Sequence, residues 1–290
     1  MNLADAQIMT AMVTPFDENN QVSYPRLEKL IEHLLATGTQ ALLACGTTGE
    51  APTLSPTEKL KVIEATIKIN AGRVPVVVGT GSNNTAQTIE YTTKIGNLGG
   101  VDAALVVVPY YNKPNQAGMI AHFTAVADAA PIPIIIYNIP GRTGVTMEVE
   151  TIAHLANHPN IIGVKDCTGS INLAHIVEKT PADFLVYTGE DENTLVAKTI
   201  GATGVISVAS HLYGKEMLQM YQAVENGDLQ TSAKIMRTLM PKMEALFSLP
   251  SPGPVKAALN HQNILVGGLR LPLLPLDQKQ EAELFNILEI

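Results

Sequence analysis

Eight short aliphatic runs recur at roughly even spacing along the chain: Ile8–Val13, Ala41–Ala44, Val74–Val78, Ala103–Val108, Ile132–Tyr137, Ile161–Lys165, Phe184–Tyr187 and Thr203–Val208. They are apolar almost without alternation, as strands buried on both faces are in parallel sheets. Patterns with helical periodicity lie between them. Residues 56–64, Pro-Thr-Glu-Lys-Leu-Lys-Val-Ile-Glu, read as a helix with one apolar face, with Ser55 as N-cap and Pro56 in the first helical position. Strands alternating with helices, uninterrupted by any linker-like stretch, predict a closed (β/α)8 TIM barrel. An open doubly wound sheet is the alternative. It is weakened because Thr10–Phe16 follows the first run where a Gly-x-Gly-x-x-Gly turn would stand. After Val208 the rhythm changes. Residues 214–247, 252–262 and 277–289 carry helical patterns with no strand after them, punctuated by Pro250, Pro252, Gly253 and Pro254. They predict a C-terminal all-helical appendage, with residues 1–225 as the catalytic barrel and 226–290 as the helical region.

Composition narrows the class. Of 290 residues 46% are hydrophobic, enough for a large core, and with no Trp the packing must be aliphatic. The net charge of −8, with no run of Lys or Arg, argues against nucleic acid and anionic membrane as partners, since both need clustered positive charge. The N-terminus, Met1-Asn2-Leu3-Ala4-Asp5, lacks a basic segment followed by a long apolar one, and no stretch is apolar for long enough to span a bilayer. Cys45 and Cys167 do not form a close pair, so neither a disulfide framework nor a zinc knuckle is indicated. These features predict a soluble cytoplasmic protein.

The chemistry collects where the runs end. Lys165 closes one run and Tyr137 closes the run before it, an interval of 165 − 137 = 28 residues. That interval fits one strand, one helix and the return to a parallel neighbour, so the two side chains should lie side by side at the same end of one sheet. A lysine above an apolar strand and beside a phenol is suited to Schiff-base chemistry on a carbonyl, for which the neutral amine is the nucleophile. Taken alone, Lys165 could equally mark where a strand meets solvent. Other strand ends carry matching chemistry. Gly46-Thr47-Thr48-Gly49-Glu50 reads as a glycine-flanked loop whose amides and hydroxyls could face a small anion, or as a plain turn with surface threonines. Tyr110 and Tyr111 sit in a proline-bracketed loop, where tyrosines usually serve packing or interfaces. Arg142, in Tyr137-Asn138-Ile139-Pro140-Gly141-Arg142-Thr143-Gly144, offers a bidentate fork for a carboxylate, or for a surface ion pair. An amine, phenols, an anion loop and an arginine at adjacent strand ends suit imine formation on a 2-oxo acid. Metal catalysis fits less well. His154 and His158 have helical ligand spacing but precede the sixth strand, which puts them at the opposite mouth of a barrel.

With these motifs the chain resembles the dihydrodipicolinate synthase / N-acetylneuraminate lyase family of pyruvate-dependent class I aldolases. The likeness runs from Thr10–Phe16 to Leu271–Pro275 and rests on Gly46–Glu50, Tyr137–Gly144 and Gly163-Val164-Lys165-Asp166 in family order. The resemblance implies that Lys165 forms the Schiff base with pyruvate and that Tyr137 shuttles protons through Thr47 and Tyr111. It further implies that Thr48 holds the pyruvate carboxylate and that Gly189 and Ile206 line the pocket with backbone carbonyls. No cofactor or metal is implied. In the family the equivalent of Tyr111 enters a neighbouring subunit's site, so the resemblance implies a homo-oligomer, a dimer of dimers. Arg142 and Thr47-Thr48 fit the synthase branch, which condenses pyruvate with L-aspartate semialdehyde at the entry to lysine and diaminopimelate synthesis. The rivals are a lyase acting on neuraminate or a keto-deoxy sugar acid, and a catalytically silent pyruvate-binding barrel.

Two departures stand out. Ser251 occupies a position where many synthases carry Asn. Pro56, Lys59 and Gln87 stand where feedback-inhibited members usually carry His, His and Glu. Losing the carboxylate and gaining a cation disfavours an incoming ammonium, so weak or absent inhibition by L-lysine is expected.

Overall fold

Strands form at all eight apolar runs in the structure, a computed structural model describing residues 2–290. They are β1 (Ile8–Ala11), β2 (Ala41–Ala44), β3 (Val76–Gly79), β4 (Ala103–Val107), β5 (Ile134–Asn138), β6 (Ile161–Asp166), β7 (Leu185–Thr188) and β8 (Gly204–Ser207). Their order is that of a closed barrel, β1 through β8 in sequence. The helices are α1 (Tyr24–Ala36), α2 (Pro56–Asn70), α3 (Thr85–Gly96), α4 (Gln116–Ala129), α5 (Pro140–Thr143), α6 (Val149–Leu155), α7 (Ser170–Lys179), α8 (Thr194–Thr199), α9 (Ser210–Glu225), α10 (Leu229–Ala245), α11 (Gly253–His261) and α12 (Gln278–Leu288). The fold is therefore the predicted TIM barrel followed by helices. No described helix is long and apolar enough to cross a membrane.

The chain divides into two compact units, residues 2–7 with 75–206 and residues 8–74 with 207–290. In the first, parallel pairing runs from β3 to β8, with every residue of β5 and β7 buried. Burial on both faces explains why these strands read as continuous apolar runs. The Tyr187 hydroxyl, fully buried on β7, donates to the carbonyls of Leu3 and Ala6 and so anchors the N-terminal turn.

In the second unit β1 and β2 pair in parallel, Met9 opposite Ala41. Three buried hydroxyls join its parts, Thr10 meeting Thr39 at 2.6 Å and Ser210 at 2.7 Å. His211 is also buried. Its Nδ1–H donates to the Val208 carbonyl and its Nε2 accepts from the Val13 amide, which requires the neutral ring. Burial pulls its pKa down to about 4. Helix α2 starts as expected, with Pro56 in the first turn and a reciprocal capping box between Ser55 and Glu58.

The stretch 214–247, read from its periodicity as one helical region, is two helices. Asn226-Gly227-Asp228 breaks it: Gly227 has φ +75°, which costs a side-chain-bearing residue, and Asp228 caps α10 by accepting from the Thr231 amide. That Asn-Gly-Asp signal was present in the sequence and outranks the apolar periodicity.

Candidate active site

Lys165 and Tyr137 are register partners on β6 and β5, each next to last in its strand. Parallel neighbours in register point the same way, and Lys165 Nζ lies 4.4 Å from the centre of the Tyr137 ring. Lys165 is 7% exposed, and among the described residues no carboxylate pairs with its amine. The side-by-side placement expected from their spacing is what the fold delivers.

Space for the lysine comes from Gly189, the residue after β7. Its amide donates to the Asp166 carbonyl at 2.8 Å, which presses this turn against the end of β6. A Cβ at this position would fall 2.6 Å from Lys165 Cε and 2.3 Å from Cys167 Sγ. Those two atoms are therefore at most 2.6 + 2.3 = 4.9 Å apart. Burial pushes the Cys167 thiol up to about 12, so at neutral pH it is a protonated, weakly nucleophilic neighbour of Lys165.

Behind the pair, Asn138 and Asp166 are the next register partners and face the other way. Asn138 Nδ2 donates to Asp166 Oδ1 at 2.8 Å and to the Met147 carbonyl at 3.0 Å, while its Oδ1 accepts from the Met147 amide. Asp166 Oδ2 accepts from the amide and hydroxyl of Thr168. Burial raises the Asp166 carboxyl pKa, opposed by these donors. The network fixes both strand ends, and with them the directions of Tyr137 and Lys165.

Arg142 lies exposed on the single turn α5 and makes no ion pair among the described residues. Its charge is the least of the influences on the Cys167 thiol, favouring the thiolate against the much larger effect of burial. Tyr111 is 86% exposed with φ +72°, an uncommon conformation for a bulky residue, and its amide approaches the Thr143 carbonyl at the end of α5. Ile206 is buried within β8.

Thr47 and Thr48 belong to the other unit, in the loop after β2. The sequence suggested that Gly46 and Gly49 bend this loop. The left-handed residues are instead Cys45 and Glu50, both at φ +53°. The amides of Gly49 and Glu50 are spent on the carbonyls of Gly46 and Thr47, so the run of free donors is shorter than expected. The amides and hydroxyls of Thr47 and Thr48 hydrogen-bond to no described residue, which leaves them for a ligand.

Residues 4–290 match the sequence model of the dihydrodipicolinate synthetase family. The chain belongs to this family. It is 62% identical, over the full length of both chains, to the 4-hydroxy-tetrahydrodipicolinate synthase of Ligilactobacillus salivarius. Among solved structures it superposes on a dihydrodipicolinate synthase of Bacillus anthracis with a TM-score of 0.96, at 43% identity, covering 98% of this chain and 97% of that one. The synthase of Cyanidioschyzon merolae, solved with lysine bound, gives a TM-score of 0.95 at 40% identity, covering 99% and 98%.

Sequence reasoning passed over the strongest charge cluster. Lys256 Nζ lies 2.6 Å from Glu50 Oε1 with both side chains at most 2% exposed. The contact is an ion pair rather than an aligned hydrogen bond, since Oε1 has no partner of good hydrogen-bond geometry. Burial pulls the ammonium down to about 8, against the upward pull of Glu50. Nearby, Arg270 forks onto Glu58 at 2.6 and 3.1 Å and holds that carboxyl at about 2. A lysine within the otherwise apolar segment Pro254-Val255-Lys256-Ala257-Ala258-Leu259 was the available signal for a buried partner. His158, which shares the i, i+4 spacing with His154, accepts from the Asn160 amide on Nδ1 and meets Asp128 through Nε2.

Proposed function

We propose that this chain condenses pyruvate with L-aspartate 4-semialdehyde through a lysine imine, giving 4-hydroxy-tetrahydrodipicolinate at the entry to lysine and diaminopimelate synthesis. It is a lyase of the class I aldolase type. The observation that carries the reading is Lys165, buried against Tyr137 at the C-terminal strand ends, with Gly189 leaving its chain room to extend.

Lys165 attacks the pyruvate carbonyl carbon, and loss of water from the carbinolamine gives the imine. Tyr137 moves the protons, relayed through Thr47 and Tyr111, while Thr48 holds the pyruvate carboxylate and the carbonyls of Gly189 and Ile206 border the pocket. Loss of a methyl proton converts the imine to the enamine. Its carbon attacks the aldehyde of the second substrate, whose carboxylate Arg142 grips. That its exposed guanidinium makes no ion pair among the described residues supports that role. The substrate amine then displaces Lys165 by transimination, closing the ring and regenerating the enzyme.

The exposed, left-handed Tyr111 supports a site completed by a second copy, so the dimer is the smallest full catalyst and a dimer of dimers the expected assembly. Residues 1–225 act as the catalytic barrel and 226–290 as the appended region. The test couples product formation to the downstream NADPH-dependent reductase. NADPH loss requiring both substrates supports the reading. Folded protein that turns over a sugar acid instead, or binds no pyruvate, refutes it.

A further inference from the structure

The buried ion pair between Glu50 and Lys256 joins the threonine loop to a helix far along the chain. Both polar contacts of the Glu50 carboxylate among the described residues go to that distant region: Lys256 on one oxygen, and the Arg270 amide on the other at 3.0 Å. Lys256 is itself fixed from two more sides. Its ammonium donates to the Gly268 carbonyl at 2.8 Å and lies 4.2 Å from the centre of the buried Phe16 ring. Phe16 is tied in turn by its amide to the Val266 carbonyl.

Glu50 also has a left-handed backbone that nothing in its own sequence favours. A buried, strained, charged residue persists only where its surroundings over-determine it. Here its carbonyl accepts from the Thr53 amide and hydroxyl, its amide binds Thr47, and the Gly49 carbonyl accepts from Thr14 Oγ1 at 2.6 Å. Everything around Thr47 and Thr48 is held, while their own amides and hydroxyls are left unspent. Replacing a buried pair by apolar residues is often neutral for stability, so stability alone does not explain the pair.

We infer that Lys256 is a positioning residue for the reaction: through Glu50 it fixes the aim of the Thr47-Thr48 loop at the pyruvate carboxylate. The inference rests on the proposed role of that loop. Lys256 itself touches no substrate. Its ammonium sets the Glu50 carboxylate, the carboxylate holds the left-handed turn, and the turn points the two threonines.

The test uses the full chain and measures the pyruvate concentration that half-saturates borohydride trapping of the Lys165 imine, read by intact mass. Trapping yield at saturation and Tm are read alongside. Lys256→Met should raise half-saturation about tenfold, the scale of leaving a buried charge unpaired, with yield at saturation unchanged. Glu50→Gln keeps the shape but turns one acceptor oxygen into an amide donor, and should raise it about threefold, the scale of one lost hydrogen bond. The double variant Lys256→Met with Glu50→Gln removes both charges. It should recover Tm while half-saturation stays raised, a split that a merely structural pair would not produce. Half-saturation within about twofold of the parent in folded Lys256→Met overturns the proposal, as does its recovery together with Tm in the double variant. Should Lys256→Met fail to fold, an unmoved Glu50→Gln has the same force. Thr48→Val separates the two levels. If it too leaves half-saturation unmoved, the loop does not hold pyruvate and the proposal falls with that assignment. If it raises half-saturation and Lys256→Met does not, only the clamp falls.

Discussion

Replacing Gly189 by Ala should disable the enzyme by moving Lys165, the nucleophile we propose. The added methyl carbon would stand 2.6 Å from Lys165 Cε and 2.3 Å from Cys167 Sγ. Carbon–carbon contacts settle near 3.6 Å, so the lysine chain must retreat by about 1 Å and the sulfur by slightly more. Cys167 is half-buried and has rotamers to try. Lys165 is packed against Tyr137 and can retreat only by carrying Nζ out of line. A misplacement of about 1 Å at a reacting centre costs about 10²-fold, or about 2.7 kcal/mol of barrier. Overpacking adds about 1–3 kcal/mol of lost stability, a few degrees in Tm. The assay is turnover with both substrates, with borohydride trapping of pyruvate followed separately. Gly189→Ala should fold, trap pyruvate slowly and lose about 10²-fold in kcat/KM. Cys167→Ala alone should be nearly silent, and combined with Gly189→Ala it should not rescue, because the clash with Lys165 remains. A Gly189→Ala enzyme within about threefold of the parent, or rescue by Cys167→Ala, would refute the argument that this glycine makes room for the lysine.

Other predictions follow from the same geometry. Tyr111→Phe should lower turnover by about 10²-fold, the scale of general acid–base catalysis, while pyruvate is still trapped on Lys165; a loss under threefold would show the relay to be misassigned. L-lysine should inhibit weakly or not at all, because Lys59 and Gln87 present a cation and a neutral amide where an ammonium ligand needs a carboxylate; half-inhibition of turnover at submillimolar lysine contradicts this. Acid should weaken the fold through two buried histidines. Burial holds both His122 and His211 at about 4, against the ordinary 6.5. Among the described residues Thr85 alone hydrogen-bonds the His122 ring, at Nδ1, and its Nε2 has no hydrogen-bond partner. Below pH 6.5 the unfolded chain takes up protons that the folded chain refuses. Stability therefore falls between about pH 6.5 and 4 and levels off below, by about 2 kcal/mol per histidine at pH 5. Urea unfolding of the parent and of His122→Gln at pH 7.5 and 5 reads the slope, and equal pH dependence in both would exclude His122 as a source.

Local pattern alone determined the architecture and the pairing at the centre of the candidate site. Strands buried on both faces must be apolar throughout, so their ends are visible as the points where polar chemistry begins. Parallel neighbours one helix apart must align, so Tyr137 and Lys165 were paired by their interval before any coordinates. The break between α9 and α10 was legible too, in Asn226-Gly227-Asp228, but apolar periodicity masked it. Tertiary structure decided what depends on distant partners. Glu50 meets Lys256 across 256 − 50 = 206 residues, and no local propensity relates two positions so far apart. The left-handed turns at Cys45 and Glu50 fell on residues that do not favour them, because packing and the buried pair outweigh the intrinsic cost. Gly189 looks like any turn glycine in sequence. Its meaning lies in the space it leaves for Lys165 Cε and Cys167 Sγ, and space between side chains exists only once the strands that carry them have been brought together.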